Sequence, residues 1–148
     1  MAYSLIRPCP ACGARNRVGA AHLAHDARCG QCKTSLGPVA EPLDVGGEGF
    51  VDITTSVSVP VLVDFWAAWC GPCRMAAPQV HALAQEMAGR ALVLKVDTEQ
   101  YPELAARFNV QAIPNFVVLQ AGRVVRQHPG LAPAADMRAW LESAAPGR

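Results

Sequence analysis

The pattern of apolar and polar residues divides the chain into short elements of the α/β kind. Two apolar runs, at 61–66 and 91–97, have the length and composition of strands buried in the middle of a sheet. Between them, over about 71–88, apolar residues recur at helical spacings, on a stripe formed by Ala76, Val80, Leu83 and Met87. Pro78 lies inside this predicted helix and is expected to kink it, because proline removes a backbone hydrogen bond.

Weaker patterns predict the remaining elements. In chain order they are a short strand at 43–45, a short helix at about 49–56 and a helix that begins at Pro102. A hairpin at 116–125 and a final helix at about 133–144 follow. Together with the two central strands and their helix, they give the order β-α-β-α-β-α-β-β-α. This order predicts an α/β fold with a mixed sheet and helices on both of its faces.

Four of the six cysteines lie in the first 36 residues, as two CxxC pairs. Sixteen residues separate the pairs, a spacing typical of a zinc site with four thiolate ligands, here Cys9, Cys12, Cys29 and Cys32. Gly13 and Gly30 are expected to supply backbone freedom at the two turns. So short a segment buries too little apolar surface to fold unaided, and bound metal would supply the missing free energy. Two redox pairs or two structural disulfides are the alternatives.

These patterns predict a chain of three regions. A zinc-binding ribbon spans 1–36, a linker rich in glycine and proline spans 37–42, and the main domain spans 43–148. Because the main domain has its own predicted core, a chain that starts near Glu41 is expected to fold and to keep most of its activity. His22 and His25 lie between the two cysteine pairs. They are interpreted as solvated loop residues, and the alternative is a mixed ligand set.

Charge and hydropathy exclude several classes of function. The formal net charge is +1, which gives no electrostatic reason for binding nucleic acid or a membrane surface. No apolar run reaches the length of about 18 residues that a membrane span needs, and no secretory signal is recognisable. We therefore expect a cytoplasmic protein, in which cysteines serve metal binding or redox chemistry rather than a disulfide scaffold.

The remaining two cysteines, Cys70 and Cys73, lie where the strand at 61–66 gives way to the helix. The first N–H groups of a helix lack intrahelical partners and carry partial positive charge, which favours a thiolate. Cys70 is the better placed of the two, and Cys73 follows one turn later, within reach of a disulfide. The sequence therefore predicts a redox-active dithiol. Half of a metal site and two core cysteines are the alternatives.

Asp64 and Lys95 are charged residues inside the two central strands. Burial disfavours a carboxylate and should raise the pKa of Asp64. An acid with a shifted pKa near a reactive thiol is a candidate functional group, and a structural aspartate bonded to backbone N–H groups is the alternative. Lys95 either neutralises Asp64 or extends its ammonium group into water.

The segment VLVDFWAAWCGPCRMAAP, residues 61–78, resembles the active-site segment of thioredoxins nearly residue for residue. With the four N-terminal cysteines included, nearly the whole chain resembles the zinc-containing thioredoxins of the thioredoxin 2 type. The resemblance implies the thioredoxin fold, preceded by a small zinc-ribbon-like domain. It also implies that Asp64 exchanges a proton with Cys73, near Lys95, and that Ile113-Pro114 is a cis bond facing the dithiol. Asn115 stands where many thioredoxins have threonine.

The same resemblance implies a flat apolar docking patch for partner proteins, formed by Trp69, Gly71, Pro72, Ile113, Pro114 and Gly130. Trp66 either borders this patch or serves only core packing. The implied activity is reduction of protein disulfides by a monomer that binds one Zn²⁺ and no organic cofactor. Its partners would be disulfide-containing proteins and a thioredoxin reductase, which supplies electrons from NADPH.

Two alternatives belong to other functional classes. One is a partner-binding module, in which the zinc ribbon recruits and the thioredoxin fold is a rigid support, and the intact set Cys70, Cys73, Asp64 and Pro114 argues against it. The other is an oxidase or isomerase. The dipeptide Gly71-Pro72, which resembles reducing family members, and the lack of a recognisable export signal argue against that one.

Overall fold

The computed structural model describes residues 2–144 of the chain. The last four positions of the predicted region 43–148 lie outside the described residues. Within the described part, two small two-stranded sheets precede one five-stranded sheet.

Each N-terminal cysteine pair lies in the turn of an antiparallel hairpin. The first hairpin pairs β1 (Ser4–Pro8) with β2 (Arg15–Gly19), and the second pairs β3 (Ala27–Arg28) with β4 (Ser35–Gly37). The Arg7 guanidinium joins the hairpins, because it donates to the carbonyl oxygens of Leu36 at 2.8 Å and Gly37 at 2.7 Å. The two cysteine turns also meet, since their four sulfur atoms all lie within 4.8 Å of one another.

The main sheet is mixed, as the sequence predicts. Its strands are β5 (Leu43–Asp44), β6 (Val61–Trp66), β7 (Leu92–Asp97), β8 (Asn115–Gln120) and β9 (Arg123–Pro129). Their spatial order is β5-β7-β6-β8-β9. Strands β5, β7 and β6 are parallel to one another, and β8 and β9 continue the sheet in antiparallel fashion. The strand that leads to the dithiol, β6, is thus the middle strand of the sheet.

In the described part of the chain, four α-helices connect and cover these strands, and the predicted order of elements is confirmed. They are α1 (Gly47–Ser56), α2 (Gly71–Glu86), α3 (Pro102–Arg107) and α4 (Ala134–Ala144). Helix α2 contains Pro78 and continues through it from the dithiol to Glu86. Its predicted buried stripe is confirmed, since Ala76, Val80 and Leu83 are all buried.

The β8–β9 hairpin turns at Ala121 and Gly122, which have φ values of 54° and 78°. Two positive φ values at the centre of a two-residue connection are typical of a type I′ turn, whose twist matches that of the strands. Strand β9 is longer than the apolar pair Val124-Val125 predicted, because backbone pairing with β8 extends it to Pro129. Nearly all of its side chains are exposed, so its outer part carries no hydrophobic pattern.

The ribbon and the main domain share one hydrophobic core. Leu23 is fully buried in the same cluster as Phe50 and Ile53 of α1, and Val39 of the predicted linker joins them. The Val39 N–H also donates to the Leu23 carbonyl at 3.0 Å. At the N-terminus, the Tyr3 N–H donates to Asp52 Oδ2 of α1 at 2.6 Å. Residues before Glu41 therefore contribute to the burial of α1. A second cluster, on the other face of the sheet, packs α2 against α4.

Candidate functional site

Cys70 and Cys73 form a disulfide at the start of α2, with Cα atoms 5.2 Å apart. Cys70 is the residue before the first turn, and its Sγ accepts from the Cys73 N–H at 3.1 Å. Both sulfur-bearing side chains are largely buried, at 3% and 5% exposure. The sequence prediction of a dithiol at a strand-to-helix junction is confirmed in its geometry. An N–H group directed at Cys70 Sγ would also stabilise negative charge on that atom after reduction.

The turn between β6 and α2 is short and held by one main-chain hydrogen bond and one from a side chain. The Cys70 N–H donates to the Ala67 carbonyl at 3.2 Å, and Arg74 Nη1 donates to the Ala68 carbonyl at 2.6 Å. Arg74 was not among the residues that the sequence pointed to, since an exposed cation on a helix has no distinctive pattern. The turn leaves Trp69 67% exposed beside the buried sulfurs.

Asp64 lies in β6 with only 1% of its surface exposed. Desolvation by burial raises the pKa of Asp64 to about 7, while the nearby charge of Lys95 lowers this pKa and that of Asp44 raises it. Within the described residues, Oδ1 of this carboxyl makes no hydrogen bond. A carboxyl group with this pKa can take up or release a proton near neutral pH. The sequence did not predict the effect of Asp44 on this pKa, because a single exposed aspartate in a two-residue strand has no pattern that marks a functional residue.

Lys95 lies opposite Asp64 on the neighbouring parallel strand, and Asp44 lies opposite Lys95 on the next. The ammonium nitrogen of Lys95 is 4.7 Å from the centre of the Trp66 ring, a cation–π contact. Among the described residues no ion pair joins Lys95 to Asp64 within 4.0 Å. Lys95 thus acts on the Asp64 pKa through space rather than through a direct bond.

The loop at Ile113-Pro114 faces the disulfide. Its peptide bond is cis, as the resemblance implied, and the Ile113 carbonyl oxygen lies 3.7 Å from Cys70 Sγ. The Gly130 N–H donates to the Pro114 carbonyl at 2.7 Å, and Gly130 has a φ of 90°, which glycine adopts without steric cost. Trp66 and Ile113 pack against the small buried cluster that holds both cysteines. The structure therefore brings the predicted loop residues to the dithiol.

The four N-terminal cysteines form the second candidate site. Their sulfur atoms all lie within 4.8 Å of one another. The Cys9–Cys32 and Cys12–Cys29 sulfur pairs are each 3.6 Å apart. A tetrahedral zinc ion with Zn–S bonds of about 2.3 Å needs sulfur atoms separated by about 3.8 Å. The spacing and the all-thiol donor set therefore fit Zn²⁺.

The two cysteine turns have nearly the same backbone hydrogen bonds. In the first, Gly13 N–H donates to the Cys9 carbonyl at 2.9 Å, and in the second Lys33 N–H donates to the Cys29 carbonyl at 3.0 Å. Gly13 and Lys33 have φ values of 78° and 68°. The expected conformational role of Gly13 is confirmed, whereas that of Gly30 is wrong. Gly30 instead donates its N–H to Asn16 Oδ1 at 2.9 Å, and Lys33 occupies the left-handed position.

Main-chain donors also bear on the sulfur chemistry of the cluster. The N–H groups of Cys32 and Gln31 point at Cys29 Sγ and lower the pKa of Cys29 to about 6. A lowered thiol pKa favours the thiolate form that binds metal. Within residues 2–144, the group of potential ligands consists of the cysteines alone, without His22 or His25. Those two histidine rings contact each other edge to face, with centroids 5.6 Å apart.

Comparison with known proteins gives consistent matches. The family model described as thioredoxin matches residues 42–143. Thioredoxin C-3 of Corynebacterium nephridii is 37% identical over 138 residues, covering 93% of this chain and 94% of the relative. Thioredoxin 1 of Chlorobaculum tepidum is 45% identical over 87 residues, covering 59% of this chain and 86% of the relative.

A solved structure gives the same result for the fold. A mutant thioredoxin from Halobacterium salinarum superposes with a TM-score of 0.68 at 34% identity, covering 74% of this chain and 95% of that one. The predicted fold is confirmed by this match. In the described part of the chain, no helix combines the length and the apolar character needed to cross a bilayer.

Proposed function

The chain belongs to the thioredoxin family and is a protein-disulfide oxidoreductase, and we propose that it works in the reducing direction, through Cys70 and Cys73. The observation that carries the proposal is the Cys70–Cys73 pair at the N-terminus of α2, opposite the main chain of Ile113. Cys70 Sγ is thus close to the bend that precedes β8, against which a partner protein can lie.

The proposed reaction begins with the Cys70 thiolate. This sulfur attacks one sulfur of the partner's disulfide, and the other partner sulfur leaves as a thiolate that takes up a proton. Cys73 then loses its proton and attacks Cys70 Sγ, which releases the second partner sulfur. The partner gains two electrons and two protons, and Cys70 and Cys73 are left as the disulfide. Thioredoxin reductase, with electrons from NADPH, is proposed to reduce that disulfide again.

Asp64 is proposed to accept the Cys73 proton in the second step. Support comes from its burial, its raised pKa of about 7 and its Oδ1 atom, which has no hydrogen-bond partner among the described residues. A carboxylate with a pKa near that of the medium can take the proton and return it in the reverse half of the cycle. Lys95 is proposed to limit the rise of this pKa through its charge.

Partner proteins are proposed to dock on the apolar patch defined above, at Trp69, Gly71, Pro72, Ile113, Pro114 and Gly130. The exposure of Trp69 and the short distance from Ile113 to Cys70 support this assignment. A flat apolar surface accepts partners of many sequences, because it makes few directional contacts. Disulfide-containing proteins are therefore the proposed substrates.

The N-terminal cysteines are proposed to hold one Zn²⁺, as in the zinc-containing thioredoxins. The sulfur spacing supports this, and the match to thioredoxin C-3 extends over 138 residues and so includes most of the ribbon. Bound zinc would neutralise thiolate charge and fix the two hairpins to each other. The ribbon at 1–36, the linker at 37–42 and the main domain remain the proposed division of the chain. The protein is also proposed to be a monomer and to work in the cytoplasm.

A turnover assay tests the function. Insulin disulfides are offered with NADPH and a bacterial thioredoxin reductase, and NADPH oxidation is followed beside precipitation of the insulin B chain. We expect turnover that depends on all three components. Specific capture of partner proteins by a chain that does not turn over insulin would favour the binding-module alternative.

A further inference from the structure

Two amide side chains outside the proposed chemistry, Asn115 and Gln127, tie the loop before Pro114 to strand β9. Gln127 Nε2 donates to the Phe108 carbonyl at 2.9 Å and to Asn115 Oδ1 at 3.1 Å. Asn115 Nδ2 in turn donates to the Ala112 carbonyl at 3.3 Å. Both residues lie on one face of the β8–β9 hairpin, because Asn115 pairs with Pro129 and Val117 pairs with Gln127. They form a chain of hydrogen bonds from the edge strand into the loop.

The direction of this chain is determined by its ends. The carbonyl groups of Phe108 and Ala112 can only accept, so each must face an amide nitrogen. Asn115 therefore turns its oxygen toward Gln127, which has a second N–H to donate. Asn115 is 3% exposed, so loss of either partner would leave a buried polar group unsatisfied.

The loop held in this way carries the docking residue Ile113. It runs from Phe108, the residue after α3, to the start of β8, and it includes Asn109 with a φ of 55°. Gly130 N–H adds a further bond, to the Pro114 carbonyl at 2.7 Å. Hydrogen bonds from the β8–β9 hairpin and from Gly130 thus hold the carbonyl groups of Phe108, Ala112 and Pro114. Within residues 2–144, the N–H and carbonyl of Ile113 bond to no other main-chain group.

We propose that Asn115 and Gln127 are positioning residues, which hold the main chain of Ile113 in the conformation that receives an extended strand of a protein substrate. The inference rests on the proposed reductase function and deepens it. A loop fixed before binding loses less conformational entropy when the partner docks, so the pair raises affinity for protein substrates. Small disulfides, which have no strand to place along Ile113, gain nothing from the pair. Both side chains are uncharged, so their contribution does not change with pH.

Three variants separate positioning from other effects. Gln127→Glu keeps the size of the side chain but replaces the donor amide with a carboxylate. The carboxylate oxygens can only accept, and they would face the two oxygen atoms to which Gln127 donates. Gln127 is exposed, so the protein is expected to fold. Gln127→Lys supplies N–H donors again and is the rescue variant. Gln85→Glu, on the exposed face of α2, makes the same change of charge away from the loop and is the control.

Reduction of insulin and of hydroxyethyl disulfide is measured over a range of pH. For Gln127→Glu we expect a KM for insulin about tenfold higher, an effect of the size that loss of one or two hydrogen bonds produces. Its rate with hydroxyethyl disulfide, and the pH dependence of that rate, should match those of the wild type. Gln127→Lys should restore most of the affinity, and Gln85→Glu should behave as wild type. An unchanged KM for insulin, or equal slowing of both substrates, would overturn the proposal.

Hydrogen exchange separates failure of this inference from failure of the proposed function. Peptides that cover 108–114 should exchange faster in Gln127→Glu than in wild type and Gln85→Glu, with α4 unchanged. A wild-type protein that reduces neither disulfide would refute the reductase function and with it the substrate role. Equal exchange of the loop in wild type and Gln127→Glu would show that Gln127 does not hold the loop, whatever the activity.

Discussion

Asp64 and Lys95 lie directly opposite each other on the parallel strands β6 and β7, but the ammonium group of Lys95 packs over the ring of Trp66. Within residues 2–144, the buried carboxyl group therefore has no close counter-ion. This arrangement leaves the Asp64 pKa at about 7, since desolvation outweighs the distant charge of Lys95. A tight ion pair would instead have kept this residue ionised and unable to exchange protons near neutral pH.

The pKa of Asp64 predicts how stability depends on pH. Because the pKa is raised in the folded state from 3.8 to about 7, the folded protein binds a proton more tightly than the unfolded chain does. The free energy of unfolding should therefore fall as pH rises from about 4 to 7, by on the order of 4 kcal/mol, and then level off. Urea unfolding of the oxidised protein at several pH values measures this. Asp64→Asn should remove the decline, and Asp44→Asn, an exposed change, should keep most of it.

Asp64→Asn also tests the proton transfer. We expect attack by Cys70 to be little changed and resolution by Cys73 to slow by roughly a hundredfold, the usual contribution of a positioned base. Rapid-quench analysis of a single turnover measures both steps, through the amount of mixed disulfide. If both steps keep wild-type rates, Asp64 takes no part in the reaction.

The two cysteines should differ when each is replaced. Cys73→Ser should accumulate a stable mixed disulfide with insulin, because attack succeeds and release fails. Cys70→Ser should form no adduct and show no turnover. Non-reducing electrophoresis after mixing with insulin separates the outcomes. Adducts from Cys70→Ser and none from Cys73→Ser would reverse the assignment of the nucleophile.

The four-cysteine cluster should hold one zinc ion per chain. Cys9, Cys12, Cys29 and Cys32 should resist alkylation until a chelator removes the metal. Peroxide should release zinc, because sulfur in a disulfide is a poor zinc ligand. A chromophoric chelator follows the release during peroxide titration. Freshly reduced protein that carries no zinc and has these cysteines in disulfides would exclude the metal site.

Removal of the residues before Glu41 should lower stability more than the sequence suggested. The truncated chain loses Leu23 and Val39 and exposes Phe50 and Ile53, so we expect a loss of roughly 3 kcal/mol or more with activity kept in the folded fraction. Thermal unfolding measures the loss. Leu23→Ala in the full chain, which leaves the four N-terminal cysteines in place, should lower stability by about 3 kcal/mol. A truncated protein as stable as the full chain would show that the shared core contributes nothing.

The sequence predicted most of the fold because its strong signals are local. Strand β6, helix α2 and the two cysteine pairs each follow from spacing over a few residues. The packing of Leu23 on α1 did not follow, since it joins an irregular segment to a helix far along the chain. The position of Lys95 did not follow either, because strand pairing gives the register but not the rotamer of a long side chain. Gln127 escaped notice since a lone exposed glutamine on an edge strand has no pattern.

The near-symmetry of the two cysteine turns has a practical consequence, because it is broken at Lys33. Gly13 adopts its left-handed conformation freely, whereas a residue with a Cβ atom at φ 68° incurs a cost of about 1 kcal/mol. A protein engineer could exchange Lys33 for glycine, with the loss of only the exposed bond from Lys33 Nζ to the Gly30 carbonyl at 3.1 Å. The proposed affinity of the cluster for zinc could thereby be adjusted at a residue that supplies no ligand atom.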